Sequence, residues 1–288
     1  MRSCQYQHMR RDWHDNWILW KVIPAGLGKK SGTASEFVFR SASGDMQLDR
    51  KVESVVYSQL ATLGSGNHFL EIGGNSRGEV GVTIHSGSRR VGHDIASWYM
   101  QKGRLLPLTS DIGRAYLEDM LWAQEFALEN RRLMLYSALL AMRFSESDAK
   151  RQLAPGSMIN ENHNHAVQHG EGLILHRKGA TPAKKGQLGV IPANQRDGVW
   201  VTRGLGNEEF LCSASHGAGR RLSRKAASKE GTVSELEKLM RGVVCRTGKD
   251  VLDEAPWAYK RIDQVLAAHD GILVDVIDHF KPLIVLKG

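Results

Sequence analysis

Apolar positions recur at helical spacing between residues 51 and 60, which predicts a short helix running into Leu63-Gly64-Ser65-Gly66-Asn67-His68. From residue 68 to 72 the period changes to two. This predicts a strand with Phe69 and Glu71 on one face and His68 and Leu70 on the other. Val80 to His85 reads as a second strand, and the polar turn closed by Gly78 predicts a hairpin that draws His68 and His85 together. Ser110 and Asp111 offer an N-cap to a long apolar-periodic stretch reaching about residue 142, read as one long helix or two stacked ones. Its methionines and aromatics are read as core. Residues 159–167 read as a polar, imidazole-rich loop, followed by short strands at 173–176, 189–192 and 199–202. Ser234 with Glu237 makes a capping-box pattern for a helix to about Arg241, and 258–268 predicts another helix. Two strands follow, at 273–277 and 283–286. Residues 1–50 show no clean period: Met1 to Lys21 carries three tryptophans, and 23–30 reads as a turn-rich loop.

One regularity recurs in the second half. An apolar strand ends in a glycine-containing loop that bears His, Arg, Lys or Asn, which predicts one composite site built from several strand ends.

The 288 residues suffice for one large domain or two small ones, and 41% hydrophobic with 24% charged residues fits a globular protein with a sizeable core. No apolar run reaches the roughly 18 residues of a membrane span, and no secretory signal is visible. Cys4, Cys212 and Cys245 are widely spaced, which argues against a disulfide framework and for a reducing, cytoplasmic compartment. A formal net charge of +8 permits a polyanionic partner.

The chemistry concentrates at Ser213-Ala214-Ser215-His216-Gly217-Ala218-Gly219-Arg220. Glycines let backbone approach an anion, the arginine adds a fork of donors, and the imidazole can act as nucleophile, acid/base or ligand. Its bland counterpart is a glycine turn with a surface histidine. Three further imidazoles, His68, His85 and one of His163 or His165, lie in polar turns, as a metal site drawn from separate loops requires; no HExxH-type signature fixes such a site. Arg89, Arg177, Lys178, Arg203, Arg220 and Arg224 sit in or beside glycine turns suited to phosphate.

Six segments then occur in order: Gly-Ser-Gly-Asn-His-Phe-Leu-Glu (64–71), His-Ser-Gly-Ser-Arg (85–89), Asn-His-Asn-His (162–165), Arg-Lys-Gly-Ala (177–180), Arg-Gly-Leu-Gly-Asn-Glu-Glu (203–209) and Ser-His-Gly-Ala-Gly-Arg (215–220), with Lys287 closing the set. Together they resemble the RtcB family of RNA ligases from about residue 60 onward. The resemblance implies an α+β fold with mixed and antiparallel sheets surrounded by helices and one long helix at about 110–142. Residues 51–288 would form the ligase domain and 1–50 an ill-defined N-terminal remnant. It implies a GTP- and manganese-dependent ligase, for tRNA splicing or RNA repair, joining 2′,3′-cyclic phosphate or 3′-phosphate RNA ends to 5′-hydroxyl ends. RNA and GTP would be its partners, together with an activating accessory protein. His216 matches the histidine that carries GMP, and His68, His85 and His163 match metal ligands. Asn67, Asn164, Gly217, Ala218, Gly219 and Arg220 match the nucleotide site, and Glu71 and Lys287 its guanine-contacting residues.

Two positions depart from the family pattern. Its Asp-x-Gly-Cys-Gly-Met segment, which supplies a bridging thiolate to two metal ions, is absent; Cys4 lacks the flanking glycines. Weak or absent two-metal catalysis is therefore expected of this chain. Ile191-Pro192-Ala193-Asn194-Gln195 stands where the family has Ile-Pro-Gly-Ser-Met. The rival readings are a non-catalytic remnant that still binds GTP or RNA, and a metal-dependent phosphohydrolase.

Overall fold

The computed structural model describes residues 18–26 and 37–288. Along the chain it has α1 (Ile18–Val22), α2 (Met46–Gln59), β1 (Phe69–Gly74), β2 (Val80–His85), α3 (Arg89–Met100), α4 (Asp111–Ala141), α5 (Glu146–Gln152), β3 (Asn164–Gln168) and β4 (Ile174–Lys178). These are followed by β5 (Ala180–Pro182), β6 (Leu188–Pro192), β7 (Val199–Gly204), β8 (Ser213–Ser215), α6 (Arg224–Glu230), α7 (Val233–Leu239), β9 (Val244–Cys245), α8 (Ile262–Ala267) and β10 (Val274–Lys287). Three short 3-10 turns lie at Glu208–Phe210, Lys249–Glu254 and Pro256–Ala258. The α+β class holds. Among the described residues no helix is long and apolar enough to cross a membrane.

The described chain divides into two interleaved units. One takes residues 18–20, Ser65–Ile84 and Arg177–Gly288; the other takes residues 21–26, 37–64 and His85–His176. The boundary expected at residue 50 falls inside α2, whose apolar face, Leu48, Val52, Val55 and Val56, is buried along its length. The tryptophan-rich start and Cys4 lie outside the described residues.

The helical unit is built on α4, a single helix capped by Ser110, whose side chain accepts from Gly113 N–H. Ala115, Asp119, Ala123, Phe126, Asn130, Met134 and Ala138 recur at three- and four-residue steps, so one stripe is buried. Ala115, Ala123 and Phe126 pack with α2 and α3 around Phe39 and Tyr99. The sequence reading missed α3. Val91, Ile95 and Tyr99 give it an apolar face, but its arginine-rich first turn reads as the end of a glycine loop.

The strand-rich unit centres on a sheet in the order β2-β1-β10-β7-β6, with β9 parallel to β10. The expected β1–β2 hairpin is present. The two strands expected at 273–277 and 283–286 are one strand. His279-Phe280-Lys281-Pro282 interrupts the apolar alternation, yet pairing continues: Val274–Phe280 against β7, then Lys281–Lys287 against β1. Register shifts between Ile72 and Gly73 and between Val276 and Asp278 absorb the interruption. Two smaller clusters complete this unit. One joins Ile191, Ala193, Ala214 and Ala218 to Ile262 and Val274; the other joins Leu236 and Met240 to Val251 and Leu252.

Three local expectations are corrected. The capping box is Thr232 with Glu235, so α7 begins two residues early and Val233 packs on the Leu236 cluster. Residues 164–168, expected as loop, form β3 beside β4. The helix expected from 258 starts at Ile262, after the Pro256–Ala258 turn.

Candidate active site

His216 follows β8, which pairs with β5 so that Ser215 lies opposite Ala180. That register sets the ring beside the turn before β5. The Gly179 carbonyl accepts from His216 N–H at 3.3 Å and lies 2.6 Å from Nδ1. A carbonyl can only accept, so the Nδ1 proton is fixed and the ring lone pair is on Nε2. Burial lowers the pKa of His216, opposed by the Gly179 bond and helped by the Lys178 charge, so the neutral ring is favoured. Gly179 has φ +68°, and a Cβ there would stand 3.3 Å from the imidazole.

The residues after His216 are drawn inward. Ala218 N–H donates to Pro192 O at 2.9 Å, and a Cβ on Gly217 would meet the same oxygen at 3.0 Å. Gly219 has φ +74°, and its carbonyl accepts from Lys260 N–H. Before His216, Ser215 N–H donates to His269 Nε2 at 3.3 Å, and His269 Nδ1 bonds Val265 O.

Arg220, expected at the nucleotide site, is held by acceptors within the protein. Its guanidinium donates to Leu222 O, Asp253 O and, at 2.9 Å, Glu254 Oε1, and lies over the Tyr259 ring. Glu254, 3% exposed, is the hub of this region. Its Oε1 also pairs with Arg224 at 2.6 Å, while Oε2 accepts from Lys287 Nζ at 2.9 Å and from the Tyr259 hydroxyl. Arg224 also pairs with Asp253. The result is three cations around two carboxylates. Burial works to raise the Glu254 pKa, but the Lys287 charge, the Tyr259 and Lys287 bonds and the Arg224 charge outweigh it, and the net shift is downward. Burial lowers the pKa of Lys287, which is 5% exposed, and Glu254 opposes that shift. Burial, the Glu254 charge and its hydrogen bond raise the pKa of Tyr259.

Phe69 pairs with Lys287 and Glu71 with Val285, so Phe69, Glu71, Val285 and Lys287 share one face of the β1–β10 pair. Glu71 is 2% exposed, its Oε1 has no hydrogen-bond partner, and burial pushes its pKa up to about 8. The loop bearing Asn67 and His68 passes close to Arg224, whose Nη2 would stand 2.9 Å from a Cβ on Gly66.

The helical unit holds the other expected ligands. His85, at the end of β2, and His163, just before β3, face each other with their Nε2 atoms 3.1 Å apart and their ring planes at 81°. Two nitrogens each about 2.1 Å from one ion, in adjacent coordination positions, lie at about this separation, so the pair fits two ligands of one metal. Among the described residues no group of three His, Cys, Asp or Glu side chains comes together as a metal site. Helix α4 braces the two loops. Arg131 donates to Ser86 O, Asn160 Oδ1 and Asn162 Oδ1, and burial lowers its pKa to about 10. Asn130, fully buried, accepts from Thr62 N–H and donates to Thr62 O, Ser86 Oγ and Gly87 O. Asn164 is exposed at the start of β3.

Of the arginines expected at anion sites, Arg177 is buried and donates to Ser213 Oγ and Leu211 O. Arg89 donates to Thr62 Oγ1. The substituted segment contributes Pro192 O, as above, and Gln195, whose Nε2 donates to Glu254 O. Glu254, Tyr259, Arg131 and Asn130 escaped the sequence reading, since none belongs to a short motif.

Comparison with known proteins gives one picture. The family model described as tRNA-splicing ligase RtcB matches residues 14–288. The chain is 38% identical over 254 residues to the RNA-splicing ligase RtcB of Escherichia coli K12, covering 81% of this chain and 62% of that protein. It is 30% identical to the tRNA-splicing ligase RtcB of Pyrobaculum aerophilum, covering 94% and 69%, and 32% identical to that of Nanoarchaeum equitans, covering 80% and 60%. The chain thus spans about three fifths of the length of the Escherichia coli relative.

Proposed function

This chain belongs to the RtcB family of tRNA-splicing ligases, and from that premise we propose that it joins RNA 3′-phosphate or 2′,3′-cyclic phosphate ends to 5′-hydroxyl ends through a guanylylated histidine. The observation that carries this reading is the His216 ring, with Nδ1 fixed on the Gly179 carbonyl and the neutral form favoured. A neutral imidazole nitrogen is a competent nucleophile at phosphorus. In the proposed first step Nε2 attacks the α-phosphorus of GTP. The N–P bond forms as the bond to the bridging oxygen breaks, and pyrophosphate leaves. A cyclic phosphate end must first take up water, which breaks its bond to the 2′-oxygen and leaves a 3′-phosphate; an oxygen of the RNA 3′-phosphate then displaces the imidazole and takes GMP. The RNA 5′-hydroxyl finally displaces GMP, loses its proton and closes the phosphodiester.

Glu71 and Lys287 support guanine as the base. Guanine presents N–H donors beside an acceptor oxygen, and these residues set an unpartnered carboxyl oxygen and an ammonium on one sheet face. Asn67 and the Gly217–Arg220 turn are proposed to contact the phosphates. His85 and His163 are proposed to hold a manganese ion. On the family resemblance His68 is proposed as a metal ligand.

Incubation with α-labelled GTP and Mn²⁺ tests the reading. The expected result is an acid-labile, alkali-stable label on the protein, absent from His216→Ala and retained in His165→Ala. GTP retention without covalent label would replace the proposal with nucleotide binding alone. Phosphate release without an adduct would replace it with hydrolysis.

A further inference from the structure

We propose that Glu254 is a positioning residue that ties Lys287, Arg220 and Tyr259 together and so holds the guanine side of the site in register with the His216 loop. The proposal rests on the reading of His216 and Lys287 given above.

The four side chains that converge on Glu254 come from three stretches of the chain. Arg220 lies four residues after His216, Arg224 opens α6, Tyr259 follows the Pro256–Ala258 turn, and Lys287 ends β10. A carboxylate with two oxygens accepts from all of them in one buried place. Its own backbone is held as well: Glu254 O accepts from Gln195 Nε2 at 3.0 Å, and Pro192, in the same segment as Gln195, accepts from Ala218 N–H. Glu254 therefore links three pieces of one site: the loop after His216, the 192–195 segment and the end of β10.

The electrostatics follow from the placement. Lys287 is buried, and an ammonium so placed loses its proton readily unless an anion faces it. The charged or titratable groups grouped around it are Glu254, Tyr259, Arg220, Arg224 and Asp253, with Glu71 on the same sheet face. Of the anions, Glu254 alone is hydrogen-bonded to Nζ in the described contacts. Losing its charge exposes Lys287 to Arg220 and Arg224 with weaker compensation, so Nζ deprotonates at lower pH. It also frees Arg220 from the carboxylate that orients it.

The test is a double-mutant cycle of Glu254→Gln and Lys287→Gln in the full chain, with two readouts. The first is the ionisation of Lys287 in ligand-free protein, followed by NMR of ¹³C-labelled lysine. The second is the rate of GMP labelling against GTP concentration and pH. Glu254→Gln is expected to lower the Lys287 titration midpoint by at least one pH unit. It should raise the GTP KM about tenfold with kcat changed less than threefold, and draw the alkaline limb of labelling down with Lys287. In the Lys287→Gln background the same change should alter KM by clearly less than in wild type, the remainder reflecting Arg220 and Tyr259. Glu254→Asp keeps the charge on a shorter arm, so it should restore the Lys287 midpoint while KM stays raised; it carries the test if Glu254→Gln does not fold. An unchanged Lys287 titration, or effects that simply add in the double variant, would overturn the proposal. A wild-type chain that takes no label while Lys287 still titrates as described would sink the reading of His216 instead.

Discussion

One added carbon at Gly179 probes how tightly the His216 ring is held. Gly179→Ala places a methyl group 3.3 Å from the imidazole at a φ of +68°, so the ring must turn or the backbone must move. The left-handed conformation alone costs an alanine roughly 1–2 kcal/mol. The expected result is a modest loss in urea unfolding together with a larger drop in the initial rate of GMP labelling; normal labelling would contradict this account of the ring. Because burial lowers the His216 pKa, the acid limb of labelling should fall below the ordinary histidine range near 6.5. Glu71 gives a prediction of opposite sense. Its carboxyl binds a proton in the folded state up to about pH 8 but in the unfolded chain only to its ordinary value, so it lowers stability progressively between those two pH values. Glu71→Gln should therefore melt higher than wild type at pH 9, by a few kcal/mol at most, with the gap closing near pH 4.5. The same variant should bind GTP more weakly. His216, Glu71, His85 and His163 were legible as residues because glycine-rich or alternating surroundings single them out. Glu254 was not. It sits in an ordinary acidic turn, and its role exists only once donors from three stretches of the chain fold onto it.

Helix α4 shows how an element can be read correctly and its purpose missed. The apolar stripe announces a long buried helix, but Asn130 lies on that stripe as a polar residue with no local signature. Its side chain clamps Thr62 to Ser86 and Gly87, and so steadies the turn after His85. Asn130→Ala orphans the buried Thr62 N–H, which costs about 1–3 kcal/mol. A chemical-denaturation midpoint shifted by that amount is expected, with broadened His85 and His163 imidazole resonances; an unshifted midpoint would count against the clamp. The missed α3 and the divided β10 have a common cause. Periodicity sees side chains, whereas the arginine-rich start of α3 and the Phe280–Pro282 stretch of β10 are held by helix packing and by sheet register.

At the scale of the whole chain, the +8 balance fits a phosphate-backbone partner. If three phosphates are neutralised, the slope of log affinity for single-stranded RNA against log salt should be about −2. Filter binding between low and physiological salt measures it, and a flat response would remove charge as the basis of the proposed RNA contact. The interleaving of the two units was not legible. The strand-rich unit takes up the chain near residue 65 and again after residue 177, and no composition shift marks either crossing.

The seat of β10 between β1 and β7 imposes an order of events at birth. Some two hundred residues separate Glu71 from its partner Val285, which at ordinary elongation rates is about ten to forty seconds of translation. During that interval β1 emerges with one backbone edge bare, and closure of the sheet waits for its central strand to leave the ribosome. A nascent chain stalled before residue 274 should therefore be protease-sensitive at 65–85 and a ready client for chaperones that shield strand edges.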